Sequence, residues 1–288
     1  MEQNPPSFSE HGLVEKPDGS LQSTREFWDT SPCDGQADFE QRKQFRYRKE
    51  PWLTDFLKRI AASHDQILEI GCGQGTDAIL LCSLLSENGR YEGLDYSPQS
   101  IQSATVGAWE VRSFLRVQPI FRVGNAENLD IADNTQQAVY SMGVLHHTAN
   151  EKKAFAEILR VLQPGGKAYL VLYRRWSLKV GVAKVLRFLQ AVFDTVFMTK
   201  RIFYRFFKGA HLEKYFGTMI LECFGVPYLK CYTKKEIQTL FAAFEILDLY
   251  QVGYNVPWIH LKGDGRTMFG YFWVMELKKP LSNPFTGH

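Results

Sequence analysis

Cysteine is scarce in this sequence and badly spaced for bonding: there are five, Cys33, Cys72, Cys82, Cys223 and Cys231, an odd number without a Cys-x-x-Cys pair. Neither a disulfide framework nor a zinc knuckle is expected, and no metal site. Long apolar runs are also missing, since no stretch reaches the roughly 18 consecutive apolar residues that a membrane-spanning helix needs. The segment from Met1 to Ser20 carries acids and prolines where a secretion signal would need a basic start and an apolar stretch. A soluble, cytoplasmic protein is the expectation. Excess charge of one sign is lacking too. The 34 basic and 31 acidic residues leave a formal charge of +3, too little to indicate a nucleic-acid partner. What is present is 45% hydrophobic content over 288 residues, enough for one large core or two small ones.

The first 25 or so residues, rich in Pro, Gly and Ser, read as a loosely ordered lead-in with little function. From Arg25 to Ile60, apolar residues at helical spacing, interrupted by Pro51, predict two helices broken at Glu50-Pro51. Residues 66 to 173 then alternate between short apolar runs (QILEI, YEGLD, PIFRV, AVYSM, KAYLVLY) and helical stretches. Strands separated by helices of this length imply βαβ units, because a parallel strand can be reached only by a crossover. The fold class is therefore α/β, with a doubly wound, mostly parallel sheet. A helix over TKKEIQTLFAAF and two strands, FEILDLYQVGY and GYFWVMELKK, follow a basic and aromatic insertion, and these last strands should pair antiparallel at the sheet edge. The predicted division is 1–60 lead-in and cap helices, 61–175 core, 176–232 helical insertion, and 233–288 last helix and closing strands.

The most informative motif is ILEIGCGQGTDA. A buried strand ends at Glu69-Ile70 and passes through Gly71, Gly73 and Gly75 into a helix near Thr76. Glycine there permits backbone angles that a β-carbon obstructs and lets a ligand approach the main chain at a helix N-terminus. The spacing is GxGxG after an acid, unlike the GxGxxG of dinucleotide enzymes. About 20 residues on, YEGLD ends a second strand with Asp95, whose carboxylate could hold a ribose diol or cap the helix beginning at SPQS.

Glu69-x-Gly71-x-Gly73-x-Gly75, Asp95, GNAENL at 124–129, VYSMGVLHHT at 139–148 and EILRVLQPGGKAYLVLY at 157–173 stand in the order found in Rossmann-like class I S-adenosylmethionine-dependent methyltransferases, which this chain closely resembles. The closest likeness is to the small-molecule branch that includes ubiquinone, menaquinone and natural-product methyltransferases. The resemblance implies a seven-stranded sheet with an antiparallel last strand, and S-adenosylmethionine as cofactor, leaving S-adenosylhomocysteine. It also implies roles. Gly71, Gly73 and Gly75 would pass under the methionine part, with Glu69 ordering the loop, Asp95 on the ribose hydroxyls and Tyr96 flanking the adenine. Asn125, where the family usually has an aspartate, and Ala126 would meet the adenine; an amide oxygen still accepts, without charge assistance. Met142 and Gly143 would lie near the sulfonium, and Tyr47 would close over the cofactor carboxylate.

Methyl transfer from a sulfonium needs mainly an in-line approach in a water-poor pocket. A base is required only if the acceptor must lose a proton, and His146 or His147 could serve, although one of two adjacent histidines commonly packs or orders its loop. Tyr173 is a candidate for orienting the acceptor, or else a core residue. LQPGG at Leu162 to Gly166 reads as structure, a helix stop turning into the fifth strand.

Residues 174–214 hold ten Lys or Arg against two Asp or Glu. On a helical wheel Arg187, Gln190, Asp194, Arg201, Arg205 and Lys208 share one side, and the rest is Leu, Val and Phe. So wide an apolar arc should close over the pocket as a lid, or else meet a lipid or protein surface. The functional expectation is methyl transfer to an O, N or C atom of a small organic acceptor, lipophilic, aromatic or anionic, in secondary metabolism, with no nucleic acid as partner. Methylation of RNA or protein, and a binding protein that kept the fold without the chemistry, are the rivals.

Overall fold

The computed structural model describes residues 19–30, 38–198, 202–209, 228–253, 265–268 and 270–281. Cys33, Arg201, Cys223 and the first 18 residues of the expected lead-in lie outside them, as does the Lys208 side chain. Three helices open the chain: α1 (Gly19–Thr30), α2 (Phe39–Lys49) and α3 (Trp52–Ser63), with the break between α2 and α3 at Glu50-Pro51 as expected. Then follow β1 (Gln66–Ile70), α4 (Thr76–Leu84), β2 (Arg90–Asp95), α5 (Pro98–Glu110), β3 (Ile120–Val123), β4 (Gln136–Met142), α6 (Glu151–Val161) and β5 (Leu162–Tyr173). Two helices, α7 (Leu178–Val196) and α8 (Ile202–Gly209), precede α9 (Lys234–Leu240) and the closing strands β6 (Glu245–Val252) and β7 (Phe272–Lys278).

The seven strands form one sheet in the order β3-β2-β1-β4-β5-β7-β6. β1 to β5 pair in parallel, and β7 runs antiparallel between β5 and β6. Both faces are covered, as parallel strands require. Side chains alternate along β1 accordingly. Ile67 packs with α3 and α4 on one face, while Leu68 and Ile70 pack with α6 and α9 on the other. The same alternation sends Glu69 to the α3–α4 face, where it is 2% exposed. Gly75 is the N-cap of α4 at φ +78°, and a β-carbon there would meet Ala104 of α5 at 2.9 Å, so its glycine serves the close approach of α5 to the start of α4.

Two sequence expectations need correction. The lead-in ends earlier than residue 25, because α1 begins at Gly19 and buries Phe27. β5 begins at Leu162, five residues before the KAYLVLY run: Leu162 pairs with Gln136 and Lys167 with Ala138, so a bulge absorbs the LQPGG turn with Gly165 at φ +79°. Among its described residues the basic insertion forms two helices. Its far end, Tyr228 to Tyr232, is bonded back onto the core through Lys230 N–H to the His146 carbonyl (3.1 Å) and Tyr232 N–H to the Tyr173 carbonyl (2.9 Å).

Candidate active site

The parallel strands all end their carboxyl termini on one edge, and the loops that leave them enclose a cavity. The loop after β1 supplies Gly71, Cys72 and Gly73; β2 supplies Asp95 and Tyr96; Asn125 and Ala126 follow β3; Met142 and Gly143 follow β4. Ten of the residues singled out as site candidates in the sequence border it, namely the eight of these other than Cys72, together with Glu69 and His147. Four do not: Tyr47, Gly75, His146 and Tyr173.

Two glycines make the cavity what it is. At Gly73 (φ +53°) and Gly143 (φ +74°) an added β-carbon would meet nothing within 4 Å, so both expose bare main chain to open space. Gly71 differs, since at φ +79° its β-carbon would fall 2.2 Å from Val144, and its glycine is required by packing as well as by backbone angle. The main chain of this loop is anchored by Gly71 and Cys72 N–H groups on the Leu94 carbonyl, at 2.7 and 2.9 Å.

Asp95 ties the two strand ends together. One carboxylate oxygen accepts from Gly73 N–H (2.8 Å) and the other from Ser97 N–H (2.9 Å). Burial raises its pKa, and the main-chain donors act in the opposite direction. A carboxylate offers about four acceptor positions, so a ribose hydroxyl can be held without breaking either bond. Ser97, not Asp95, provides the α5 cap, its hydroxyl accepting from Ser100 N–H at 3.0 Å. Asn125 turns its amide oxygen to Glu127 N–H (2.9 Å), shaping the loop that borders the cavity.

Beneath the glycine loop lies a polar cluster. Asp77 accepts from Tyr140 (2.8 Å), Tyr47 (3.1 Å) and both nitrogens of the Arg46 fork, of which Nε stands at 2.6 Å. Glu69 accepts from the Tyr91 hydroxyl. Burial, reinforced by the Asp77 charge, pushes Glu69 up to about 8, so it is predominantly protonated near neutral pH. The phenols of Tyr47, Tyr91 and Tyr140 are all held well above their ordinary range, by burial first and by these carboxyls next, and remain donors. Burial likewise raises Cys72 well above the usual thiol range, which favours the protonated thiol.

The adjacent histidines part company. His147 borders the cavity with its ring 5.4 Å from Trp28, and its Nδ1 lies 2.6 Å from the Tyr228 carbonyl. A carbonyl only accepts, so Nδ1 carries a proton and the lone pair of the neutral ring is at Nε2. His146 is wholly buried, 4.2 Å from the Tyr173 ring, which in turn stacks on Phe272 at 4.9 Å. Tyr173 is itself buried, 4% exposed, and does not border the cavity.

Sequence reasoning missed Thr24, Trp28, Arg46, Asp77 and Thr148, which also border the cavity. Three of these come from α1 and α2, so the N-terminal helices, and no described residue of α7 or α8, face it. Asp77, in the first turn after the glycine loop, and Arg46, beside Tyr47, were the available signals. Asp29 fixes α1 by accepting from the Ser97 hydroxyl at 2.6 Å.

Residues 68–170 match the methyltransferase domain family. A demethylmenaquinone methyltransferase of Symbiobacterium thermophilum is 29% identical over 124 residues, covering 41% of this chain and 47% of that protein. The chain spans about half the length of several curated relatives it matches. Among solved structures, a Haloferax volcanii methyltransferase in complex with the Trm112 activator has a TM-score of 0.58 at 15% identity, over 89% of this chain and 97% of that one. Magnesium protoporphyrin IX methyltransferase from Synechocystis, with bound SAH, has a TM-score of 0.51 at 15% identity, over 91% and 94%. The fold is the Rossmann-like fold of class I S-adenosylmethionine-dependent methyltransferases, the family whose cofactor is S-adenosylmethionine.

Proposed function

We propose that this chain, whose residues 68–170 carry the methyltransferase domain, transfers a methyl group from S-adenosylmethionine to an O, N or C atom of a small organic acceptor in secondary metabolism. The observation that carries the reading is the pairing of Asp95 with Gly73 at 2.8 Å beside open main chain at Gly73 and Gly143. A carboxylate with spare lone pairs and a glycine cradle that a β-carbon would fill suit a ribose and the thioether chain next to it.

On this reading Gly71 and Gly73 border the methionine part, with Glu69 and Arg46 at that end. Asp95 holds the ribose, Tyr96 flanks the adenine, and Asn125 and Ala126 form its far wall. Met142 and Gly143 stand beside the sulfur. The bound cofactor supplies a methyl already activated by its positive sulfur. The chain's own part is to exclude water and fix the line of approach, which supplies most of the rate. Trp28 and His147 form an aromatic wall suited to a flat or lipophilic acceptor. His147 Nε2 takes the proton where the acceptor must lose one. The name of the Symbiobacterium relative, a methyltransferase of demethylmenaquinone, supports a ring-bearing lipophilic acceptor.

Isothermal titration with S-adenosylmethionine tests the reading. Binding is expected, weakened at least about tenfold in Asp95→Ala, as for a lost charge-assisted bond of roughly 1.5 to 3 kcal/mol. No measurable binding at millimolar ligand overturns it.

A further inference from the structure

The helix pair α7–α8 is amphipathic in the reverse sense. Toward the protein α7 presents Val180 and Ala183, each 2% exposed, and also the amide of Gln190, 9% exposed. Arg187 and Asp194, half-buried, fall on that same side of the helix. The opposite side is apolar. Leu178, Val182, Val185, Leu189, Val192 and Val196 follow one another at steps of four and three residues, which places them in a single stripe, and all six are exposed. Phe188, 67% exposed, widens it, and Phe197, Met198 (94% exposed), Ile202 and Phe206 are exposed apolar residues beyond the end of α7.

The two helices hold together by ring contacts. Phe193 stacks on Phe197 at 5.5 Å and meets the edge of Phe203 at 5.0 Å, and Asp194 accepts from Ile202 N–H at 3.2 Å. The two helices are therefore joined where the end of α7 meets the start of α8. Exposed apolar surface of this extent marks an interface.

We infer that α7 and α8 form an interfacial anchor that lies flat on an anionic lipid surface. Charge selects this occupant over the others. The segment 174–214 contains ten Lys or Arg and only two Asp or Glu; Arg174 and Arg175 are bonded to the core and Arg187 lies on the protein side of α7, while Lys184 and Arg205 are exposed. Two copies of the chain meeting through this face would bring those cations together, whereas an anionic headgroup layer neutralises them. Nucleic acid would also supply negative charge, but the six aliphatic side chains from Leu178 to Val196 would stay in water against a sugar-phosphate backbone, whereas a lipid surface buries them. An apolar stripe flanked by cations and bearing phenylalanines is the pattern of a helix lying in the plane of the headgroups. Among the described residues no helix is long and apolar enough to cross a membrane, which agrees with lying on the surface. The inference does not depend on the methyl-transfer reading.

Co-sedimentation with vesicles of phosphatidylglycerol and phosphatidylcholine tests it, with pure phosphatidylcholine vesicles as control. The intact chain should partition onto the anionic vesicles and release as salt rises from about 0.1 M to about 0.5 M. Val185→Glu with Val192→Glu, and separately Lys184→Glu with Arg205→Glu, should each weaken partitioning at least about tenfold. Both pairs are exposed, so the unfolding midpoint and S-adenosylmethionine titration should match those of the unsubstituted chain. That separates loss of the anchor from loss of the fold or of the cofactor site. Absence of partitioning, equal partitioning onto the neutral vesicles, or no effect of the substitutions overturns the proposal. So does a concentration-dependent dimer that the valine substitutions dissociate in a chain that ignores vesicles, since the occupant would then be a second copy.

Discussion

Arg46 grips both carboxylate oxygens of Asp77, joining α2 to the first turn of α4 directly beneath the glycine loop. The Asp77 side chain is 1% exposed and that of Arg46 19%, so the pair works largely outside water. Tyr47 and Tyr140 complete the shell of the carboxylate. A buried charge so thoroughly paired is far more costly to leave half-paired than to replace altogether.

Arg46→Met should accordingly lower stability by about 3 to 5 kcal/mol in urea unfolding, because buried Asp77 would lose its cationic partner. The double substitution Arg46→Met with Asp77→Leu should be less damaging than the sum of the two single changes. A coupling of about 1 kcal/mol or more in that cycle is the expected result. Additive effects would mean the pair is not a unit.

Glu69 makes stability pH-dependent in a direction that can be worked out. Its folded pKa, about 8, lies above the ordinary 4.5. Between these values the folded chain binds a proton that the unfolded chain does not, so this group's stabilisation declines as pH rises through the window and levels off above it. Glu69→Gln keeps an acceptor for Tyr91 and removes the titration. Unfolding free energies measured from pH 5 to pH 9 should then show a flatter slope for the variant. Equal slopes would mean that Glu69 is ionised throughout.

What the sequence made legible, and what it hid, follows from the range of each interaction. QILEI is β1 residue for residue, since alternation along a buried strand is a local pattern. The glycine loop and Asp95 were visible because their chemistry lies within a few residues of a strand end. Arg46 and Asp77 are 31 positions apart and Asp29 and Ser97 are 68 apart, and one sequence carries no sign that such residues meet. Helix α1 was hidden for a related reason. Its polar neighbours gave no periodicity, and it is held by Phe27, by the Trp28–His147 contact and by the Asp29 bond. For α7 the periodicity showed two unlike sides, but which side faces the protein is decided by the partner surface.

The glycines of the loop should respond unequally to one added methyl group. In Gly71→Ala the new atom would fall within 2.7 Å of three Val144 atoms at a φ of +79°, and both strain and overlap must be relieved by moving the loop. A loss of roughly 3 kcal/mol or more is expected. Gly73→Ala, at φ +53° with open space around it, should cost only about 1 to 2 kcal/mol. Its methyl would still enter the cavity and should weaken S-adenosylmethionine at least about tenfold in titration, the signature of a cradle and not of a packed turn.

The two histidines give the sharpest separation of chemistry from packing. His147 alone of the pair borders the cavity, and the Tyr228 carbonyl fixes its proton on Nδ1. With an acceptor hydroxyl, His147→Ala should lower kcat by a factor of about 10² to 10⁴ while leaving S-adenosylmethionine affinity nearly unchanged, because a base acts only as the proton leaves. His146, packed between His147 and Tyr173, should behave otherwise. His146→Ala should cost roughly 2 to 4 kcal/mol of stability, as for other large-to-small changes in a core, and His146→Phe should recover much of it by refilling the space. With an acceptor that loses no proton, such as a tertiary amine, His147→Ala should leave kcat within a few-fold of the original. A large loss there would make the residue a wall of the acceptor site and not a base.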